Sequence, residues 1–303
     1  LRGRYPQEFA IGIATGPQPF AVEPLPGAQN PVLTHEDVTD IPAMMVADPF
    51  MCFQGGLWHM FFEAVNHITR RGEIGLAVSP NGFRWEYRKI VLSELHHLSY
   101  PHVFEWRGTH YMIPESAESG SVPLYEAVDF PHRWKRVRNL LEGKRFVDSS
   151  ILFYEDRWWL FTEAGPELTT PVLRLFVADT PLGPWREHPS SPIRTGDPHG
   201  TRPAGRVVIA NGTPIRFAQD LHPYYGCSVH AFAIAKLNPT EYSETPIGDR
   251  PVFSRGAQIW NQHGMHHIDA HSRSDGSWIA CVDGFRLHDE QLLAKARAYA
   301  NAQ

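Results

Sequence analysis

The sequence predicts an all-β fold, a five-bladed β-propeller of four-stranded antiparallel blades, and three observations carry that prediction. A hairpin of constant length recurs along the chain, a second strand pair follows each of its first three copies, and the whole unit returns about every 50 residues. Radial repetition of such units leaves only short sheet edges, whereas a β-sandwich needs no blade-length period. The first hairpin runs from Asp48 to Glu63, the second from Tyr100 to Glu115 and the third from Asp148 to Glu163, each 15 positions from end to end. Each holds two β-rich runs around a short polar turn, the pattern of a hairpin. A looser fourth copy runs from Arg202 through Asn211-Gly212 to Asp220. A fifth runs from Ile268 through Asp275-Gly276 to Asp283.

The outer strand pairs follow in order. Ile74–Ser79 leads to Trp85, Pro123–Val128 to Trp134, and Leu173–Ala178 to Trp185, with Pro80-Asn81-Gly82, Pro131, or Pro181 and Gly183 in the links. Proline and glycine there are turn chemistry. Trp58, Trp158 and Trp278 each stand 10 residues into their hairpins, a shared register expected to pack the blades. The segment Phe9–Ala14 has no blade of its own and is expected to close the ring as an outer strand of blade 5. Residues 1–284 therefore form a single domain, and the Ala-rich stretch from residue 285 to 303 is expected to be a short helical tail.

Composition narrows the function classes. Of 303 residues, 28 are basic and 33 acidic with no basic block, which argues against nucleic acid or an anionic membrane as partner. No apolar run is long enough to span a bilayer and no apolar leader core follows the opening residues, so a cytoplasmic protein is expected, or a mature form whose leader is already gone. Three scattered cysteines encode neither a disulfide framework nor a zinc knuckle. No glycine-rich phosphate loop and no Ser elbow is present.

A hairpin brings its two ends together, and in a propeller the innermost strands surround the axis. The spacing therefore sets Asp48 beside Glu63, Tyr100 beside Glu115, Asp148 beside Glu163, Arg202 near Asp220 and Ile268 beside Asp283, all at one mouth of the channel. Acids at repeat positions also cap turns or pair with arginines, and Glu63, Glu163 and Asp283 fit that reading. Asp48 in Val-Ala-Asp-Pro-Phe and Asp148 in Phe-Val-Asp-Ser-Ser have apolar neighbours that would desolvate them. Burial and like charge push carboxyl pKa values upward and apart, as acid/base work requires.

Asp48-Pro in blade 1 and Val-Asp148-Ser-Ser in blade 3 resemble the arabinanase/β-xylosidase and invertase group of five-bladed glycoside hydrolases. That resemblance implies Asp48 as base or nucleophile and Asp148 as pKa modulator and sugar ligand. A closer likeness covers nearly the whole chain. Val46–Met51, Ser99–Glu105, Met112–Ser116, Arg202–Gly205, Ala218–Asp220 and His267–His271 resemble the propeller at the front of plant glucosamine inositolphosphorylceramide transferases and its bacterial stand-alone relatives. Where the hydrolases open blade 4 with an acidic Glu, this chain has Arg202-Pro-Ala-Gly. Glu115, behind Pro114 on the same mouth, is the candidate acid in its place. Arg202 is then expected to hold an anion or sugar hydroxyls, or to pair with Asp220.

His263, His266, His267 and His271 with Asp269 form a dense cluster. In a strand, alternate side chains share a face, so His267, Asp269 and His271 are candidate metal ligands. Gly264-Met-His-His partly matches the arabinanase-like motif whose histidine seats a calcium-centred water shell, which implies calcium or another divalent ion in the channel, though the chemistry requires none. Trp106, Tyr224, Tyr225 and Trp260 lie outside the packing register and are candidates to stack on a sugar.

Three functions follow. The first is a carbohydrate-active, glycoside hydrolase-like enzyme with Asp48, Glu115 and Asp148 as catalytic residues and His102, Glu163, Arg202, Asp220, His266 and His267 binding the substrate. The second is a glycan-binding propeller without catalysis. The third is a metal-dependent hydrolase or cyclase using the blade 5 histidines. All take a carbohydrate or glycoconjugate as partner, and oligomeric state is left open.

Overall fold

The structure is a computed structural model, and it describes residues 7–24, 30–165, 171–288 and 293–294. Five antiparallel sheets stand in a ring, as the repeat predicts. Blade 1 comprises Ala43–Gln54, Leu57–Asn66, Gly72–Ser79 and Glu86–Leu92, from the axis outward. Blade 2 comprises Ser99–Trp106, Thr109–Glu115, Ser121–Asp129 and Arg133–Glu142, and blade 3 starts with Val147–Tyr154, Arg157–Glu163 and Val172–Ala178. Blade 4 opens on only two inner residues, Arg202–Pro203, before Thr213–Gln219, Val229–Leu237 and Tyr242–Pro246. In blade 5 the chain ends meet. Gly264–Ser272 and Trp278–Leu287 are the inner strands, and Gln7–Gln18 and Ala21–Pro24 the outer ones. The N-terminus therefore supplies two strands to the closing blade, one more than expected.

Strand Trp278–Leu287 runs past the expected domain boundary at 284, because Gln7–Phe9 pairs with Phe285–Leu287. Apart from residues 293–294, which are helical, the expected tail lies outside the described residues. No helix among the described residues is long and apolar enough to cross a membrane. Trp158 and Trp278 are buried and Trp58 half-buried between blades, as their shared register requires.

One irregularity repeats at the axis. Ala47 faces Glu63 but Phe50 faces Phe61, so Asp48 and Pro49 together oppose one residue. Ser99–His102 against Ile113–Glu115, and Val147–Ser150 against Phe161–Glu163, carry the same extra residue. These are β-bulges, which re-aim side chains and recur beside functional sites. Asp48, Tyr100 and Asp148, the first residue of each bulge, have left-handed φ values of 52°, 46° and 50°. Asp adopts that region more readily than most residues, whereas a bulky Tyr there must be held.

Tyr100 is held by hydrogen bonds across the channel. Its hydroxyl accepts from the Gly205 amide at 2.6 Å, donates to the Gly205 carbonyl at 2.9 Å and meets Ser150 Oγ at 2.8 Å. Gly205, at φ 132°, is also where blade 4 touches blade 5. A Cβ there would stand 1.7 Å from the Ile268 carbonyl oxygen, so only glycine fits. Tyr100→Phe leaves the buried Gly205 amide without its acceptor. The expected loss is about 1–3 kcal/mol in urea denaturation, with an unchanged m-value.

Candidate functional site

The bulges decide what faces the mouth. A cleft of about 250 Å³ there is lined by Met45, Asp48 and Glu63 of blade 1, His97 and Glu115 of blade 2, Arg202 and Tyr225 of blade 4, and Phe9 and His266 of blade 5. Asp148 of blade 3 lies directly beneath, 2% exposed. Its Oδ2 accepts from Arg202 Nε at 2.6 Å and from Gln219 Nε2 at 2.8 Å. The Arg202 guanidinium carbon sits 4.9 Å above the Tyr225 ring, which meets His266 edge-on at 5.3 Å. Planar stacking and a fixed fork of donors suit arginine to such a buried pair.

Two carboxyl groups are pushed upward in pKa in this setting. Burial pushes the Glu115 carboxyl well up, and the neighbouring Asp148 charge pushes it further, against Arg202 Nη2 at 3.8 Å. Glu115 Oε2 itself is buried without a hydrogen-bond partner among the described residues, so no hydrogen bond offsets the desolvation of that oxygen. Asp48 is likewise raised by burial and by Asp148 and Glu63, with His266 opposing the shift. The Asp148 charge thus contributes to both rises.

His266 is the cation that opposes them. Its Nδ1 donates to Asp283 Oδ1 at 2.7 Å and its Nε2 points at Asp48 Oδ1, 3.6 Å away. Burial works against the imidazolium, but Asp283 and Asp48 outweigh it and raise the pKa to about 9. Asp283 also accepts the Asp48 amide at 2.9 Å, so one buried carboxylate fixes both the histidine and the bulge. At the opposite wall, His97 accepts the Gly72 amide on Nδ1. Its remaining proton therefore sits on Nε2, 3.0 Å from Glu63.

The expected residues are thus distributed unevenly. Asp48, Glu115, Arg202 and His266 line the cleft, and Asp148 supports it. Glu163 is buried near Arg202, which opposes the rise that burial causes in its pKa. His102 and His267 do not line the cleft. Each packs its ring on Phe50, and His267 Nε2 meets the Pro49 carbonyl at 3.0 Å while His102 Nε2 lies 3.4 Å from Arg206. Burial lowers both histidines, His267 to about 4 and His102 well below its ordinary value with Arg206 beside it, which keeps them neutral.

Three expectations need correction. Arg202 pairs with Asp148 and not with Asp220, since its backbone faces Gln219 and its side chain turns toward blade 3. Gln219, not Asp220, points to the cleft side, because neighbouring strand residues face opposite ways. Asp220 instead binds His199 and His230 at the blade 4 rim. The proposed ligand set of His267, Asp269 and His271 is not assembled either. Asp269 is held by Arg206 Nε and the Met51 amide, both at 2.7 Å, and His271 bonds to Asp269 at 2.9 Å, while His267 is engaged with Pro49.

Sequence reading missed His97, Phe9 and Gln219. Gln219 stood inside a recognised motif, and strand alternation was the signal that could have found it. Of the four aromatic candidates for stacking, only Tyr225 reaches the cleft.

The His266 arrangement sets a pH dependence. Its folded pKa of about 9 exceeds the ordinary 6.5, so the stability it contributes is complete below about pH 6.5 and is lost as pH rises through 9. The loss is on the order of 3 kcal/mol. Thermal melts of the wild type are expected to fall between pH 6 and 9.5, and those of His266→Asn to fall distinctly less. An equal fall in both proteins would show that His266 is not the titrating group.

Comparison with known proteins agrees with this architecture. The family model described as glucosamine inositolphosphorylceramide transferase 1, N-terminal, matches residues 7–285. The chain is 36% identical over 300 residues to glucosamine inositolphosphorylceramide transferase 1 of Oryza sativa subsp. japonica, covering 92% of this chain and 40% of that protein. It is 36% identical over 306 residues to the Arabidopsis thaliana protein of the same name, covering 94% and 40%. The chain thus spans about two fifths of the length of these relatives. Among solved structures, a putative glycoside hydrolase from Bacteroides ovatus is similar at a TM-score of 0.62 with 11% identity, covering 88% of this chain and 98% of that one. A family 117 glycoside hydrolase from Zobellia galactanivorans is similar at 0.53 with 16% identity, covering 79% and 84%. At such identities the likeness is one of fold. The match across residues 7–285 and the identity to the plant proteins together show that this chain belongs to the glucosamine inositolphosphorylceramide transferase 1 N-terminal family.

Proposed function

We propose that the propeller mouth binds a sugar and acts on its glycosidic bond, with Glu115 as acid, Asp48 as base or nucleophile and Asp148 as the group that tunes them. The observation that carries this reading is the buried Glu115 carboxyl, raised in pKa by burial and by the Asp148 charge, lining the same cleft as Asp48. Two carboxyl groups of unequal proton affinity around one concave site are what glycoside chemistry uses. The relatives' name joins them to glucosamine transfer and the fold neighbours are hydrolases, so the reading covers hydrolysis or glycosyl transfer.

Each residue then has a task. Glu115 gives its proton to the leaving oxygen. Arg202 lowers the cost of the negative charge that remains on it, while Asp148 keeps its proton affinity high. The His266 imidazolium, fixed by Asp283, favours the ionised form of Asp48 against burial. Tyr225 and Phe9 offer apolar faces to the ring, and His97 and Glu63 offer hydrogen bonds. The cleft is smaller than the sites of drug-sized ligands and suits a terminal sugar unit. A calcium ion fits these groups poorly, since calcium takes six to eight oxygens and Asp48 here faces an imidazolium.

A second reading, glycan binding without catalysis, draws support from Arg202, which stands where the hydrolases carry their acid and is locked onto Asp148. Activity on a panel of aryl glycosides and aminosugar conjugates separates the two. Under the enzyme reading, Glu115→Gln lowers kcat by about 10²–10⁴ on poor leaving groups and much less on good ones. Asp48→Asn lowers it on both. A wild type inert on the whole panel, with Asp48→Asn binding sugar unchanged, would establish the binding reading instead.

A further inference from the structure

Outside the cleft, one cluster of side chains has no part in the sugar site. His199 Nδ1 lies 2.9 Å from Asp220 Oδ1, and His230 Nε2 lies 3.1 Å from Asp220 Oδ2. The three ligand atoms fall within 4.8 Å of one another. We propose that His199, Asp220 and His230 form a binding site for a divalent transition metal of the zinc, cobalt and nickel class at the rim of blade 4.

The donor set defines the class of ion. Two imidazole nitrogens and one carboxylate oxygen suit zinc and its neighbours, whereas calcium and magnesium take oxygen ligands almost exclusively. Three protein ligands leave a coordination position open, and the site faces water there, with the His199 side chain 49% exposed and Asp220 1%. His222 stands nearby, its ring centroid 6.1 Å from that of His199 and edge-on to it.

The carboxylate is set up from behind as metal-ligating carboxylates are. Asp220 Oδ1 accepts the His222 amide at 2.9 Å and Oδ2 accepts Ser228 Oγ at 3.2 Å. Those bonds orient the group and leave on each oxygen the lone pair that now meets an imidazole. An ion entering between them takes the place of the hydrogen that each imidazole shares with the carboxylate, and each neutral ring carries its one proton on its other nitrogen.

The position of the cluster gives the ion a structural task. His199 stands three residues before Arg202. Asp220 and His230 flank the loop that carries Tyr225, which is closed by Gly226 and Asp220 amides donating to the Asp220 and Ser228 carbonyls. A single ion therefore ties together the two segments that bring Arg202 and Tyr225 to the mouth. Metal binding itself does not depend on the sugar reading.

The test uses the whole chain, stripped with a chelator and dialysed, and titrated with cobalt(II). One equivalent is expected to give visible d–d bands that zinc(II) removes, and zinc is expected to raise the melting temperature. His199→Ala and His230→Ala should each weaken cobalt binding at least about 10-fold. His199 is half exposed, so its variant tests the site without threatening the fold. Asp48→Asn should leave the titration unchanged, which separates this site from the Asp48, His266 and Asp283 group. A wild type without d–d bands at millimolar cobalt, or binding that survives both histidine substitutions together, would overturn the proposal.

Discussion

The channel end of the ring gathers several buried carboxyl groups, and the manner in which each is neutralised fixes the rest of the site. A buried carboxylate without a partner costs several kcal/mol, so every one must find a cation, a set of donors or a proton. Asp148 takes Arg202 and Gln219, Asp269 takes Arg206 and His271, and Asp283 takes His266. Glu115 and Asp48, left without a dedicated cation of their own, move upward in pKa instead. The groups able to move protons are thus those that the pairing leaves over.

Two arginines divide the channel into levels with different work. Arg206 joins Asp269, the Val103 carbonyl and the neutral His102, packed against Phe50, and fills the interior with hydrogen-bonded side chains. Such a network specifies how the blades meet. Arg202 stands above, bonded on one side to Asp148 and open on the other to the cleft. The same residue type is structural at one depth and available to a ligand at the next.

Backbone and charge are coupled through the bulges. The left-handed turn at Asp48 exposes its amide to Asp283, and that carboxylate in turn holds His266 against Asp48. In blade 2 the equivalent position is Tyr100, whose hydroxyl replaces a carboxylate and satisfies Gly205 across the axis. Three equivalent kinks therefore yield two acids for the mouth and one strut for the ring.

The sequence by itself determined the propeller, the convergence of the hairpin ends at one mouth and the candidacy of Asp48, Asp148 and Glu115. Repeat spacing and turn chemistry are local, and they survive translation into structure unchanged. Tertiary structure decided which neighbour of each pair turns inward and which charge meets which. Glu63, Glu115 and Glu163 face Ala47, Ser99 and Val147, one residue short of the expected partners, because the bulge adds a residue that constant hairpin length conceals. The same parity brings Gln219 to Asp148 in place of Asp220, and His266 to the cleft in place of His267. The pairing of Arg202 with Asp148 joins residues 54 apart on different blades. A single sequence carries no record of such a contact, since it is set by where the ring closes and by the need to neutralise buried charge.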